Sequence, residues 1–281
     1  MKQFLARFLP ASARAFHGIS GKQGEILERI LKLLKMQNQK IDEMSKNIDE
    51  LQKKSYYEKF CPVCEKSVKF VAFTKGKAAN RCPYCKSHDR TRILALYLEK
   101  ETLLFSPKQK NIVKLLHFAP EKGLLQRFKN ISHIDYFPVD FNASRYRNLR
   151  DTVDIQAIQY EDNMFDVIIV NHVLEHIPND LLAMQELLRV LKVGGFAYRT
   201  VPMFENLPKT LENPSYNTPE LRQKYYGQHD HIRKYGIDFP QRLENSGFNV
   251  EIVLIEEYLT KYESQLYGVS NRVKLFKCSK K

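Results

Sequence analysis

Four cysteines in two short motifs, Cys61-Pro-Val-Cys64 and Cys82-Pro-Tyr-Cys85, have the spacing best suited to chemistry in this chain. A CxxC loop turns two thiolates toward one point. Two such loops, seventeen residues apart, complete a tetrahedral four-thiolate zinc site. Such a site has no open position, so its zinc is structural. Two disulfides are the competing account, and they suit poorly a chain whose one other cysteine, Cys278, stands alone. A second cluster occupies residues 227–236, GQHDHIRKYG. Histidine titrates near neutrality, so His231 is read as a general base, with His229 as the alternate. Asp230 between them orients the ring or meets the substrate. Arg233 lies two residues on, on the same side of an extended loop, where a guanidinium can grip a phosphate or carboxylate. Tyr235 joins it on the substrate side. A surface loop tied by His–Asp hydrogen bonds, or a further metal site, is the plainer account of the same residues.

These groups need elements to hold them. At 281 residues, 43% of them apolar, the chain has material for one large domain and a small one. Residues 1–23 form a basic leader in which Arg7 and Pro10 interrupt the apolar stretch, so a secretory core is not expected. A docking segment is the default reading, which allows peripheral membrane contact; no apolar run reaches the length of a membrane span. Cytoplasmic localisation is expected. In residues 24–56, Leu27, Ile30, Leu34, Gln37, Ile41, Met44, Ile48 and Leu51 step alternately by three and four. That is a coiled-coil seam, expected to make a homo-oligomer; an amphipathic helix lying on its own domain is the alternative. Residues 57–90 read as a zinc ribbon, with Val68, Phe70 and Ala72 alternating and Gly76 in the turn. Residues 91–109 hold a linking helix. The net charge of +13 suits an anionic partner such as nucleic acid, an acidic lipid surface or a phosphorylated glycan, or simply a soluble lysine-rich surface.

From 110 to 281, strand and helix signals alternate, which indicates an open α/β sheet. Strands are expected at 112–118, at 134–139 ending on Asp140, near Asp154, at 166–171, 196–201, 248–254 and 272–277. Residues 154–195 give the clearest pattern: an acidic turn, the apolar run Val167-Ile168-Ile169-Val170, Asn171, a helical stretch and a glycine stop. The string FDVIIVNHVLEHIPND followed by ELLRVLKVGG resembles the middle of class I S-adenosylmethionine (SAM)-dependent methyltransferases, of the type 11-like domain. CPYCKSHDRTR, LLHFAPE and GQHDHIRKYG resemble bacterial methyltransferases of glycan biosynthesis.

The resemblance implies a Rossmann-like seven-stranded sheet whose last strand is antiparallel, with SAM across the carboxyl ends of the strands. Asp140 then meets the ribose hydroxyls, and Asp154 the adenine amino group with Ile155 packed on the ring. Asn171 lines the cofactor near its sulfonium. The first loop, His117-Phe118-Ala119-Pro120-Glu121-Lys122-Gly123, departs from the family's glycine-rich turn. Ala119 is small enough for close approach, Glu121 is placed for the cofactor's ammonium, and Gly123 is the one glycine left. His172, Glu175 and His176 read as scaffold, with His172 and His176 next in line for the base if the 227–236 loop is structural. The implied activity is O-methylation of a sugar or glycan intermediate. The alternatives are an RNA methyltransferase gripping phosphates with ribbon and basic surface, although the ribbon shows no row of stacking aromatics, and a non-catalytic oligomeric scaffold.

Overall fold

The computed structural model describes residues 21–57, 59–72, 79–146, 148–270 and 272–280. Most of the basic leader and Gly76 lie outside them. The chain divides into a unit of residues 1–55 and a unit of residues 56–281. The described part of the first unit is helical, in α1 (Lys22–Tyr57), 36 residues and so about 54 Å long. Of its apolar residues, Ile30, Leu34, Ile41 and Met44 are exposed. Among the described residues no helix is long and apolar enough to cross a membrane.

The second unit opens with two small hairpins, β1 (Lys59–Cys61) with β2 (Lys66–Val68), and β3 (Val71–Ala72) with β4 (Ala79–Arg81). Then follow α2 (Asp89–Glu101), β5 (Val113–Phe118), α3 (Lys122–Lys129), β6 (Ile134–Asp140), β7 (Asp151–Thr152) and β8 (Phe165–Asn171). The chain continues through α4 (Asp180–Val190), β9 (Leu191–Thr200), α5 (Pro219–Tyr226), α6 (Phe239–Asn245) and β10 (Phe248–Val253). Two short helices, α7 (Ile255–Tyr258) and α8 (Lys261–Tyr267), precede β11 (Leu275–Lys280). The seven-stranded sheet has the order β10-β11-β9-β8-β5-β6-β7. Strands β5 to β9 run parallel, and β11 enters antiparallel between β9 and β10. This is the expected α/β, Rossmann-like sheet.

The central strands are apolar on both faces because both are covered. Leu115, Ile169 and Tyr198 point to one side, into a core shared with α2, α3 and the two hairpins. Leu116, Ile168 and Ala197 point to the other, against α4 and α6. Strand β9 begins at Leu191, five residues earlier than the sequence suggests, because Leu191 pairs with Phe165 beyond a register shift. The turn at Gly194-Gly195 therefore lies within a strand and does not end a helix. A Cβ on Gly195 would stand 2.8 Å from the Asp166 carbonyl, so the close approach to β8 requires glycine. The last strand is shifted to Leu275–Lys280, the register that buries Phe276 and Cys278 against β9.

Candidate functional site

Strand order reverses at β5, which pairs with β6 on one side and β8 on the other. Open α/β sheets bind ligands at the carboxyl ends of the strands at such a point. A cavity of about 650 Å³ lies there. Its wall takes Phe118 and Ala119 from the end of β5, Asp140, Phe141 and Asn142 after β6, and Val153 to Gln156 after β7. His172, Val173, His176, Ile177 and Pro178 close it from beyond β8, and Gln228 and Asp230 from the loop after α5.

Of the residues expected around a cofactor, Ala119, Asp140, Asp154 and Ile155 line this cavity. Ala119 sits at φ +46, a left-handed conformation natural to glycine, and its N–H donates to the Val139 carbonyl at 2.9 Å. A strained non-glycine residue on a cavity wall costs roughly 1–3 kcal/mol and marks a place where backbone position matters. The Asp140 carboxylate accepts the Asn142 backbone N–H at 2.7 Å, which fixes it at the end of β6. Asp154 accepts from the Gln156 backbone at 2.8 Å, and Ile155 is buried beside it.

Glu121, Gly123 and Asn171 stand behind the cavity wall, and their expected roles need correction. Asn171 donates its amide to Glu121 at 3.0 Å and accepts from Thr200 at 3.1 Å, so its polar atoms are committed to the scaffold. Glu121 also meets His117 Nε2 at 2.9 Å and accepts from the Thr91 hydroxyl at 3.3 Å. Burial alone would raise its pKa, but the His117 hydrogen bond and charge hold it near about 2. Gly123 serves packing. A Cβ there would lie 2.6 Å from Val63 Cγ1 and 3.1 Å from Cys85 Cβ, so glycine lets the ribbon close onto α3.

The loop at 227–236 also departs from its sequence reading. Arg233 is buried, and its guanidinium donates to the carbonyls of Leu174 (2.8 Å), Ile177 (2.5 Å) and Pro178 (3.0 Å) and to Glu212 (2.6 Å). It is a staple, unable to grip a substrate. Tyr235 is buried too, donating to Asp180 at 2.8 Å. His229 is exposed and outside the cavity wall. His231 is buried, its ring edge-on to His176 with centroids 4.8 Å apart. Asp230 alone of the three reaches the wall.

His172 and His176, which the sequence placed only second in line for the base, line the cavity. His172 adopts φ +53, and its N–H continues the β8–β9 ladder to the Thr200 carbonyl at 2.9 Å. Its Nδ1 lies 3.1 Å from Glu175 Oε1, whose side chain is buried. Burial lowers the His172 pKa, partly offset by the Glu175 hydrogen bond. A left-handed histidine directly after a strand has no signature in hydropathy, which is why it was not the first choice.

The four cysteines of the ribbon do converge. Their sulfurs lie within 4.8 Å of one another, with Cys61–Cys85 at 3.6 Å and Cys64–Cys82 at 3.7 Å. Zinc bonds of about 2.3 Å set neighbouring sulfurs roughly 3.8 Å apart in a tetrahedron, so the set fits that ion. All four are free thiols, which answers the disulfide alternative. Ser87 Oγ lies 3.2 Å from both Cys61 and Cys85 sulfurs, a second layer around the cluster. Crowding polarises the thiols: hydrogen bonding from Cys85 lowers Cys61 to about 4, while burial and the Cys61 charge push Cys64 up to about 12. A divalent cation relieves that conflict.

Residues 119–198 match the model of the methyltransferase domain family. A demethylmenaquinone methyltransferase of Staphylococcus haemolyticus is 29% identical over 111 residues, covering 34% of this chain and 46% of that protein. The chain thus spans under half the length of this curated relative. Among solved structures, the Haemonchus contortus phosphoethanolamine N-methyltransferase 2 with SAM is 16% identical, with a TM-score of 0.43, over 68% of this chain and 52% of that one. The YcgJ protein of Bacillus subtilis is 10% identical, with a TM-score of 0.42, over 64% and 97%.

Proposed function

We propose that this protein is a SAM-dependent methyltransferase that methylates a hydroxyl of a sugar or glycan intermediate. The observation that carries it is the cavity at the strand switch point, with Asp140 and Asp154 in the wall inside a matched methyltransferase domain. Asp140 accepts the ribose hydroxyls, Asp154 accepts from the adenine amino group, and Ile155 supplies the apolar face for the ring. Bound SAM supplies an electrophilic methyl group, so the chain's task is to align an acceptor with it and to take the acceptor's proton. His172 replaces His231 as the residue for that proton. Its Nδ1 lies 3.1 Å from the buried Glu175 carboxylate, which favours the proton on Nδ1 and leaves Nε2 as the acceptor nitrogen. The sugar class of acceptor rests on the segments CPYCKSHDRTR, LLHFAPE and GQHDHIRKYG. Zinc on the four cysteines completes the proposal, as a structural ion.

Mass spectrometry after incubation with SAM and glycan extracts tests the activity: a product heavier by one methyl group supports it. Methylation of RNA alone would move the acceptor to nucleic acid, and failure to bind SAM would leave a scaffold. Calorimetry should show SAM bound with affinity lowered about tenfold or more in Asp140→Ala, the loss of one hydrogen-bonded charge. Undiminished affinity removes Asp140 from the site.

The exposed apolar residues of α1 support self-association, with a parallel dimer as the expected state. Light scattering should give a multiple of the 33.0 kDa chain mass, falling to one chain when residues 1–55 are deleted. A monomeric full-length protein at micromolar concentration would show that the helix does not pair.

A further inference from the structure

A second group of metal-type ligands stands at the cavity wall, with His176 in the wall itself. Glu175, His176 and His231 each offer one ligand atom, and these atoms lie within 4.8 Å of one another. Ligand atoms bound at about 2.0–2.1 Å in a tetrahedron are roughly 3.3–3.4 Å apart, so an ion requires each group to close by less than about 1 Å. We propose that Glu175, His176 and His231 form a site for a divalent transition-metal ion with its open coordination toward the cavity.

Three observations support the site. Glu175 is buried, and neither of its carboxylate oxygens has a hydrogen-bond partner, although Oε1 lies 3.1 Å from His172 Nδ1. An unpaired buried carboxylate oxygen is costly, and a cation is a natural remedy for it. His176 Nδ1 lies 3.2 Å from the Asp230 carbonyl and 3.5 Å from its carboxylate. Metal-bound imidazoles commonly donate their other N–H to such oxygens, which fixes the tautomer and leaves Nε2 for the ion. Finally, the ligands come from two segments that the fold ties together. The Ile232 N–H donates to the Glu175 carbonyl at 3.0 Å, and the buried Arg233 guanidinium holds the carbonyls of Leu174, Ile177 and Pro178. This gives buried Arg233 a purpose: it fixes the turn bearing Glu175 and His176 against the segment bearing His231.

Two imidazoles and one carboxylate select a zinc-like ion over magnesium or calcium, which prefer oxygen ligands. Three protein ligands leave at least one position free, as in catalytic zinc sites, and His176 belongs to the cavity wall. A hydroxyl or carboxylate of an acceptor would bind there. The site itself does not depend on the cavity holding SAM.

The test is metal stoichiometry of the full-length protein saturated with zinc and freed of loose ions. Wild type should hold about two zinc ions per chain, one of them on the cysteines. His231→Ala and His176→Gln should each hold about one, and that remaining ion reports that the ribbon is still folded. His229→Ala, altering an exposed neighbour, should keep two. Cobalt in the second site should give weak visible bands without the thiolate charge-transfer absorption of the cysteine site. One ion per chain in wild type, or two in both His231→Ala and His176→Gln, overturns the proposal. Calorimetry with SAM is read separately, so loss of the metal site and failure of the methyltransferase reading give different results.

Discussion

Removing the metal from Cys61, Cys64, Cys82 and Cys85 is expected to unfold the ribbon and to destabilise the sheet domain with it. Structural zinc supplies roughly 10 kcal/mol or more of local folding energy, while a whole domain is stable by only about 5–15 kcal/mol. The ribbon is also part of the main core. Val63, Val68, Phe70 and the cysteines pack in one cluster with Leu94, Leu98, Leu124 and Phe128. Arg92, buried, reaches the ribbon through the carbonyls of Asn80 (2.9 Å) and Ser87 (3.0 Å), and the C-terminal region through Tyr267 (2.7 Å) and Gly268 (2.6 Å). A loosened ribbon would leave that guanidinium buried with half its partners gone. Cys64→Ser should lower the metal content by about one ion per chain and cut the melting temperature by many degrees, at about 2–4 °C per kcal/mol for a domain of this size. Circular dichroism and elemental analysis check this. A variant lacking that ion with an unchanged melting curve would show that the cysteines do not hold structural zinc.

What the sequence made legible depended on whether a signal was local. The β5 and β8 strands appear as continuous apolar runs because both faces are buried, so the sheet could be read before its partners were known. The cysteine spacing foretold the convergence of Cys61, Cys64, Cys82 and Cys85, because a CxxC turn fixes its two thiols locally. The destinations of long polar side chains were not legible. Arg233 looked like a ligand for an anion, but its partners are three carbonyls nearly sixty residues earlier in the chain. Tyr235 is turned inward by Asp180 in the same way. Gly123 looked like the remnant of a cofactor loop, and only the contact with Val63 and Cys85 reveals that it serves the ribbon. His172 and Glu175 were read as scaffold in a helix, whereas His172 lines the cavity ahead of a single 3₁₀ turn, Leu174–His176, in which Glu175 is buried.

Replacing His172 is expected to slow methyl transfer by about 100- to 10,000-fold, the usual contribution of a general base. The choice of variant matters because His172 holds φ +53. Alanine is disfavoured there, so His172→Ala would mix a chemical loss with backbone strain, whereas asparagine enters the left-handed region readily. His172→Asn thus removes the imidazole while keeping the hydrogen bond from its N–H to the Thr200 carbonyl. SAM affinity should stay near wild type, since Asp140 and Asp154 stand on other strands. Asp140→Ala should show the opposite pattern, with weak SAM binding and a turnover that recovers as SAM is raised. Glu175→Gln separates orientation from proton transfer. It leaves the imidazole in place but weakens its anchor, so turnover should fall by less than in His172→Asn. These rates are to be measured with the acceptor that the product screen identifies, at saturating concentrations of both substrates. Near-normal turnover in His172→Asn would exclude His172 as the base and move the role to the pair His176 and Asp230, which face each other in the cavity wall.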